Sequence, residues 1–273
     1  LNVRYVITGM LWKMGDMFQL SIELYDSRDS KVIWSDQWQE HWDNLSTIKI
    51  NLSAGLLKTL NTQNNVRTTS DVVNPEAYKY YLEAQYKFDN YKDKKEIVEI
   101  RNLLNKSLLQ DPNIIESKWL IAKLYFRIEN HQEAIHRSFR IIKEAKNNKE
   151  YNILCQVYLF LASHYALRRE FNKAIEYNTL AKDLSKEIDN KNMLGWTYEQ
   201  FLWIYAESGI NFDEIEQQAD HGLAIFEDLE DSSGKAHIHF DLSFYNLCNL
   251  GNLTKALEHA NIASKIVMDV GDR

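Results

Sequence analysis

A repeat of about 40 residues constrains the fold of this chain more than any other feature. Ala134, Ala174, Ile215 and Ala256 hold equivalent places in similar stretches, such as "EFNKAIEYN" and "GNLTKALEHA", at intervals of 40, 41 and 41 residues. Upstream of each lies a second stretch with the spacing of an apolar helix, such as "VYLFLASHYAL". Because a unit of this length is a helical hairpin that buries its apolar face only against its neighbours, the sequence predicts an array of stacked hairpins.

We predict five such units. They cover residues 76-112, 113-149, 150-190, 191-232 and 233-273. The order of a large apolar residue, a small residue and a Tyr, followed after a turn by Ala, resembles the tetratricopeptide repeat. Asp111-Pro112, at the end of the first unit, is typical of the same family. This resemblance implies a mainly α superhelix of about five hairpins, and the intervals indicate the longer variant of the repeat.

A strict two-residue alternation precedes the helical part. In "FQLSIELY" the apolar residues are Phe18, Leu20, Ile22 and Leu24, which is the pattern of a half-buried strand. Similar runs before Gly15 and after "RDSK" complete a three-stranded antiparallel sheet, in which Val32, Trp34 and Trp38 share one face. Apolar residues from Leu45 to Leu60 then recur at helical spacing.

This region is predicted to be a small α+β module over residues 1-62. The polar stretch 63-75 follows as a linker, and the helical array occupies 76-273, with Asn74 capping its first helix and Pro75 in the first turn. The motifs "VRYVITG", Gly15-Asp16, Leu24 to Asp26 and Ile33-Trp34 resemble, in this order, the amino-terminal domain of TolB. In bacterial signalling proteins that unit precedes tetratricopeptide repeats. The resemblance implies a truncated module, and we expect the array to continue beyond residue 273.

Composition and charge exclude several classes of function. The net charge of -7 argues against a nucleic-acid partner, since phosphate binding needs clustered Lys and Arg. No apolar run approaches the roughly 20 residues that span a bilayer. Cys155 and Cys248 lie among apolar neighbours in predicted helices, the usual setting of buried thiols in a reducing compartment. We therefore expect a cytoplasmic protein.

No motif for catalysis or cofactor binding is present. The sequence contains no GxGxxG, P-loop, GxSxG or HExxH pattern. His237 and His239 are two apart, about 200° around a helix, and His131 and His136 lack a carboxylate at ligand spacing. We therefore predict no catalytic residue, no cofactor and no metal ion within this chain.

Charge is distributed unevenly along the array. Residues 192 to 234 hold ten carboxylates and no Lys or Arg, whereas Lys and Arg predominate from Lys118 to Lys149. Two solvated faces are one interpretation, and a docking surface for a partner of mixed charge is the other. Tetratricopeptide arrays bind peptides in a groove lined by the first helix of each hairpin. Carrying over the family's groove positions gives Trp119, Lys123, Phe126, Arg127, Ser163, Glu199, Trp203, Glu207, Asp241, Tyr245 and Asn249.

Two hypotheses for the function follow. The first is a non-catalytic protein-interaction and regulatory scaffold that binds a protein or peptide in the groove, with Trp119, Phe126, Trp203 and Tyr245 as partly exposed anchors. The second makes the chain the sensory part of a larger protein. In proteins that carry the resembled module, the upstream output domain is commonly a class III adenylate or guanylate cyclase, which we favour. A winged-helix transcriptional regulator or a protein kinase is the alternative.

Overall fold

The amino-terminal part of the chain is a three-stranded antiparallel sheet. The computed structural model describes residues 4–15, 17–28, 31–41, 52, 74–91, 93–209 and 212–271. Strands β1 (Tyr5–Met14), β2 (Met17–Asp26) and β3 (Lys31–His41) follow one another in the sheet in chain order. The alternation in β2 is confirmed, because Phe18, Ile22 and Leu24 are buried on one face.

The predicted face of β3 is only partly correct. Trp34 pairs with Leu24 and Trp38 pairs with Leu20, so both Trp rings share the face of the buried β2 residues, 6.1 Å apart. An irregularity between Leu24 and Tyr25 then shifts the register by one residue, and Val32 pairs with Tyr25 instead. A bulge of this kind moves a side chain to the other face, so the expectation that Val32 joins the two Trp residues is wrong.

Ten helices in the described ranges follow as five successive pairs along the chain. Asn74 accepts hydrogen bonds from the Glu76 and Ala77 amides, which confirms the predicted cap of the first helix. Apart from Leu52, the helix predicted from Leu45 to Leu60 lies outside the described residues, as does most of the linker, so the module and linker boundaries stay predictions. The helices are α1 (Pro75–Asn90), α2 (Lys94–Gln110), α3 (Ile115–Arg127), α4 (His131–Asn148), α5 (Tyr151–Leu167), α6 (Phe171–Glu187), α7 (Lys191–Ser208), α8 (Phe212–Asp228), α9 (Ser232–Cys248) and α10 (Leu253–Gly271).

The repeat register read from the sequence is confirmed. Ala134, Ala174, Ile215 and Ala256 are each the fourth residue of their helix, α4, α6, α8 and α10. All four are buried. Contacts divide the chain into two compact units, Leu1–Arg137 and Ser138–Arg273. In the second unit α5 packs on α6, α7 on α8 and α9 on α10, and the first helices α5, α7 and α9 contact one another in order.

Five of the turns between the described helices share one closure. After five helices a non-glycine residue adopts a positive φ of 52° to 62°, at Glu129, Lys149, Arg169, Asp189 and Glu230. The next amide donates to the carbonyl five residues back, as from Glu150 to Ala145 at 2.8 Å and from Asp231 to Phe226 at 2.8 Å. This is the Schellman bond, which satisfies carbonyls that a helix end leaves unpaired.

The core of the second unit is built closely around Phe226. Its ring is fully buried and meets the ring of Trp196 edge to face at 5.2 Å. Gly195 on α7 and Gly234 on α9 lie against this ring, and a Cβ atom on either would fall within 3 Å of its carbons. Glycine at these two positions therefore lets α7 and α9 approach α8.

Candidate functional site

Buried polar side chains connect the first helices of the second unit. Gln200 on α7 and Asp241 on α9 hold equivalent positions, because their helices begin after the capping residues Asn190 and Asp231, also 41 residues apart. Gln200 and Asp241 are only 6% and 9% exposed. Each reaches back toward the preceding first helix. Polar groups at a helix contact have to find partners there, since water is excluded.

Gln200 makes its contacts with α5. Its Nε2 atom donates to the carbonyl oxygen of Leu159 at 3.1 Å and also donates to Ser163 Oγ. Ser163 itself donates to Leu159 O at 3.1 Å. The Gln200 Oε1 atom is buried and has no hydrogen-bond partner in the part of the chain that the structure describes. The predicted site residue Ser163 is therefore engaged with α7.

Asp241 makes the corresponding contact with α7 through Glu199. Burial, the negative charge of Glu199 and a hydrogen bond between the two carboxyl groups raise the pKa of Asp241 to about 8. A raised pKa is expected where like charges are brought together in a poorly solvated place. Within residues 93–209 and 212–271, Asp241 Oδ2 finds no hydrogen-bond donor.

His237 completes this group. Its Nδ1 atom lies 3.6 Å from Glu199 Oε1, and the hydrogen bond to Glu199 raises the pKa of His237. The imidazole also meets the Trp196 ring edge to face at 5.3 Å. We call Glu199, His237 and Asp241 the carboxyl cluster. It can hold a proton, accept hydrogen bonds and attract a positive charge, and its side-chain exposure increases from the buried Asp241 to the 58% exposed His237.

The remaining predicted residues of α7 and α9 have mixed outcomes. Trp203 is half-buried and packs against the core, and Glu207 is half-buried. Asn249, just after α9, donates to Ala206 O at 2.9 Å. Tyr245 is only 7% exposed, so its predicted role as a partly exposed anchor is wrong.

A register error of one residue explains the outcome at Tyr245. The helix starts are 41 residues apart, which makes Phe244 the counterpart of Trp203. Phe244 is exposed, and Phe240, the counterpart of Glu199, is exposed as well. The residue of α9 that matches the predicted groove position Trp203 is therefore Phe244.

In the compact unit Leu1–Arg137, the positively charged side chains predicted for the groove lie over aromatic rings. Lys123 Nζ is 5.4 Å from the centre of the Phe88 ring and 5.9 Å from that of Trp119. The Arg127 guanidinium is 4.9 Å from the Phe88 ring centre and 5.4 Å from that of Tyr91. Burial lowers the pKa of Lys123. Cation–π contacts of this kind hold the two positively charged groups over the faces of these rings.

The aromatic residues of α3 differ from one another. Trp119 is 4% exposed, so the prediction of a partly exposed anchor is wrong here also. Phe126 is half-buried and meets the His131 ring edge to face at 4.9 Å. Apart from the exposure of Trp119 and Tyr245, the assignment of the eleven predicted residues to a peptide groove stays a prediction.

Sequence reasoning missed Gln200 and the part played by His237. Gln200 and Asp241 share one repeat position, and two polar residues at an equivalent core position were a signal in the sequence. It also missed the contact between His239 and His259, whose Nδ1 atoms are 3.1 Å apart and whose pKa values are lowered, chiefly by burial. Among the described residues, no group of three His, Cys, Asp or Glu side chains is placed to hold a metal ion.

Comparison with known proteins identifies the fold. No family model matches the sequence. No curated protein matches it either. Among solved structures, BtubC (BKLC) from P. vanneervenii is similar at a TM-score of 0.59 and 16% identity, over 85% of this chain and 92% of that one. A Rap protein complexed with Competence and Sporulation Factor is similar at a TM-score of 0.63 and 17% identity, over 86% of this chain and 68% of that one.

A third similar structure is aspartyl phosphate phosphatase F from Bacillus subtilis. Its TM-score is 0.58 at 13% identity, over 85% of this chain and 66% of that one. The fold is that of a tetratricopeptide-like helical-repeat protein. The predicted fold class is thereby confirmed, a mainly helical array preceded by a three-stranded antiparallel sheet. None of the described helices is both long and apolar enough to cross a membrane.

Proposed function

We propose that this protein is a non-catalytic regulatory scaffold that binds a segment of a protein partner along the first helices of its hairpins. The observation that carries the proposal is the pair of polar contacts between successive first helices, Gln200 with Ser163 and Asp241 with Glu199. Beside them lie the half-buried Trp203 and the exposed Phe244. Aromatic anchors next to polar groups are what hot spots of protein interfaces consist of.

The similar structures support a binding role. One of them is a Rap protein in complex with Competence and Sporulation Factor, so an array of comparable fold holds a partner molecule. The net charge of -7 supports a protein rather than a nucleic acid as the partner of this chain.

The partner segment should match the charges of the first helices. We expect an extended or helical segment that is apolar in its centre and oppositely charged at its two ends. Glu199 and Glu207 would attract its basic end, and the charges of Lys123 and Arg127 favour an acidic group elsewhere in the partner. Opposed charges mainly accelerate encounter and fix orientation, while the buried aromatic contacts determine how long the complex lasts.

The test is selection of binding peptides from a displayed random library on the whole 273-residue chain, followed by kinetics. We expect Trp203→Ala to raise the dissociation rate, and Lys123→Glu to slow association with a strong dependence on salt. Phe139→Ala is the matched control, because Phe139 is an exposed aromatic residue on the second-helix layer. Binding that Trp203→Ala leaves unchanged would refute the proposed surface.

The non-catalytic part of the proposal has its own test. We expect the purified chain neither to cyclise nor to hydrolyse ATP or GTP, since no phosphate-binding loop occurs in the sequence. Turnover that a point substitution within this chain abolishes would contradict the expectation.

The expected output domain rests on the sequence resemblance to cyclase-linked or regulator-linked proteins. The coding sequence upstream of residue 1 tests it directly. A pair of metal-binding Asp residues in a βαββαβ pattern there would indicate a nucleotide cyclase, and a basic recognition helix would indicate a transcriptional regulator.

A further inference from the structure

The carboxyl cluster contains a polar atom that the fold leaves unsatisfied. Asp241 is 9% exposed, and its Oδ2 atom has no hydrogen-bond partner among the described residues. The same carboxyl lies against Glu199 and stays neutral only by holding a proton. A buried carboxyl oxygen without a hydrogen-bond partner is destabilising, so an arrangement of this kind needs another reason to be there.

The cluster is closed on one side and open on the other. Asp241 lies between α7 and α9, whereas the side chains of Glu199 and His237 are 18% and 58% exposed. The Trp196 ring is in edge contact with His237 at the exposed end of the cluster. A ligand that enters past His237 would therefore meet Glu199 first and Asp241 behind it.

The charges around the opening favour a cation. Residues 192 to 234 contain no Lys or Arg. The two lysines that flank this stretch are engaged with carboxylates, Lys191 with Asp228 and Lys235 with Glu227, both at 2.7 Å. Because the described residues offer no three-ligand metal set, an organic cation suits the cluster better than a metal ion. Two carboxyl groups match the fork of a guanidinium, and an indole ring adds attraction.

We propose that the carboxyl cluster is the binding site for a cationic side chain of the bound segment, which enters past the exposed His237 and meets Glu199 and the buried Asp241. This inference rests on the proposed function, and it specifies which group of the partner the second unit recognises. When the cation binds, one positive charge enters the carboxyl cluster and one proton leaves it for the solvent. No covalent bond is made or broken.

The exchange gives binding a defined dependence on pH. Below the pKa of Asp241 the cation has to expel a proton, so its affinity should rise with pH by up to about tenfold for each unit. His237 acts in the same direction, because its protonated ring repels a cation and its pKa is raised by Glu199. Asp231, at the start of α9, adds a negative charge that favours the protonated His237 ring. Arginine itself stays charged over the whole range.

The experiment uses a small probe and its neutral isostere on the whole chain. N-acetylarginine amide and N-acetylcitrulline amide have the same shape, but only the first carries a charge. We expect the arginine probe to shift the NMR signals of the His237 ring in a saturable way, more strongly at pH 8 than at pH 6. The citrulline probe should not. Equal shifts with both probes, or shifts independent of pH, would overturn the proposal.

Substitutions locate the proton. Calorimetry of the arginine probe in two buffers of different ionisation enthalpy should give close to one proton released for each probe bound. Asp241→Asn and Glu199→Gln should each weaken binding at least tenfold and abolish the release, whereas Asp220→Asn, on the exposed face of α8, should alter neither. Thermal melting checks that each variant is folded. Release that persists in both cluster variants would place the proton elsewhere and refute the assignment.

Binding of the selected peptides tests this inference separately from the proposed function. Selected peptides are resynthesised with citrulline in place of each Arg, and Gln in place of each Lys. A loss of affinity that disappears in Asp241→Asn supports the cluster as the site. Peptides that bind equally well after this replacement refute the inference and leave the scaffold intact. If no peptide binds, the scaffold fails, and the arginine probe still decides the fate of the cluster.

Discussion

Replacing Gly234 with Ala tests how closely the second unit is packed. A Cβ atom on Gly234 would lie 2.4 Å from Phe226 Cδ1, 2.5 Å from Cε1 and 2.5 Å from Cγ. Separations of about 3.5 Å or more are normal between carbon atoms, so the ring or the helix must move by about 1 Å. The Phe226 ring is fully buried and also meets Trp196, which leaves it little room.

The expected cost combines two opposing effects. Overpacking a buried site typically destabilises by about 1–3 kcal/mol. Replacing Gly by Ala in a helix stabilises by up to about 1 kcal/mol, and less in the first turn, where Gly234 lies. The net effect should be a loss of roughly 1–2 kcal/mol, which lowers the melting temperature by about 2–4 °C for each kcal/mol in a unit of this size.

Gly222→Ala is the matched control. Its Cβ would lie 2.5 Å from Ile238 Cδ1, which is the far end of a flexible side chain, and its next neighbour is 3.4 Å distant. We expect that variant to stay within about 0.5 kcal/mol of the wild type, because the gain in helix propensity offsets a small rearrangement. Urea unfolding measures both, and hydrogen exchange of α8 and α9 shows that the effect is local.

A second substitution tests the cause. Phe226→Leu by itself should destabilise, but adding it to Gly234→Ala should cost less than the sum of the two, since the smaller side chain leaves room for the new methyl group. Additive effects, or a Gly234→Ala protein as stable as the Gly222→Ala protein, would refute the close contact of α8 with α9.

Three further outcomes are expected. Ala174→Leu should lower the melting temperature by several degrees and Glu176→Leu should not, because only Ala174 is fully buried; equal effects would mean that the repeat register is wrong. Between about pH 4 and pH 8 the native state keeps a proton on Asp241 that the unfolded chain has released, so the free energy of unfolding should fall as pH rises, by up to about 1.4 kcal/mol per pH unit. Urea titrations at several pH values should show that Asp241→Asn flattens this slope. Thiol reagents should modify the exposed Cys248 readily and Cys155 only on unfolding, since burial raises the pKa of Cys155 to about 12; equal rates would contradict the structure.

The architecture was predictable because its signals are periodic and local. The Ala134, Ala174, Ile215 and Ala256 series fixed the register of the second helices, and the alternation around Phe18 fixed the buried face of β2. Such patterns average over many residues, so no single exception alters them. Ile215 stands in place of a small residue, but the pattern as a whole still predicted the common buried position for it.

The candidate site was less predictable because it depends on single positions. A first helix contacts its own partner and the first helices on either side, so its groove-facing and core-facing residues are adjacent. A register error of one residue therefore selected the buried Tyr245 instead of the exposed Phe244. The bulge beside Leu24, which moved Val32 from its expected face, left no mark in the alternation. Cys248 had apolar neighbours in sequence and is nevertheless exposed.

The shared closure of the turns limits how this protein can change in length during evolution. At Glu129, Lys149, Arg169, Asp189 and Glu230 a single left-handed residue and one backbone bond complete each junction. An extra residue there would break that bond, and one inserted within a helix would rotate everything after it by about 100°. Small insertions and deletions should therefore be selected against in these segments. Descendants of this chain should differ by gain or loss of entire hairpins.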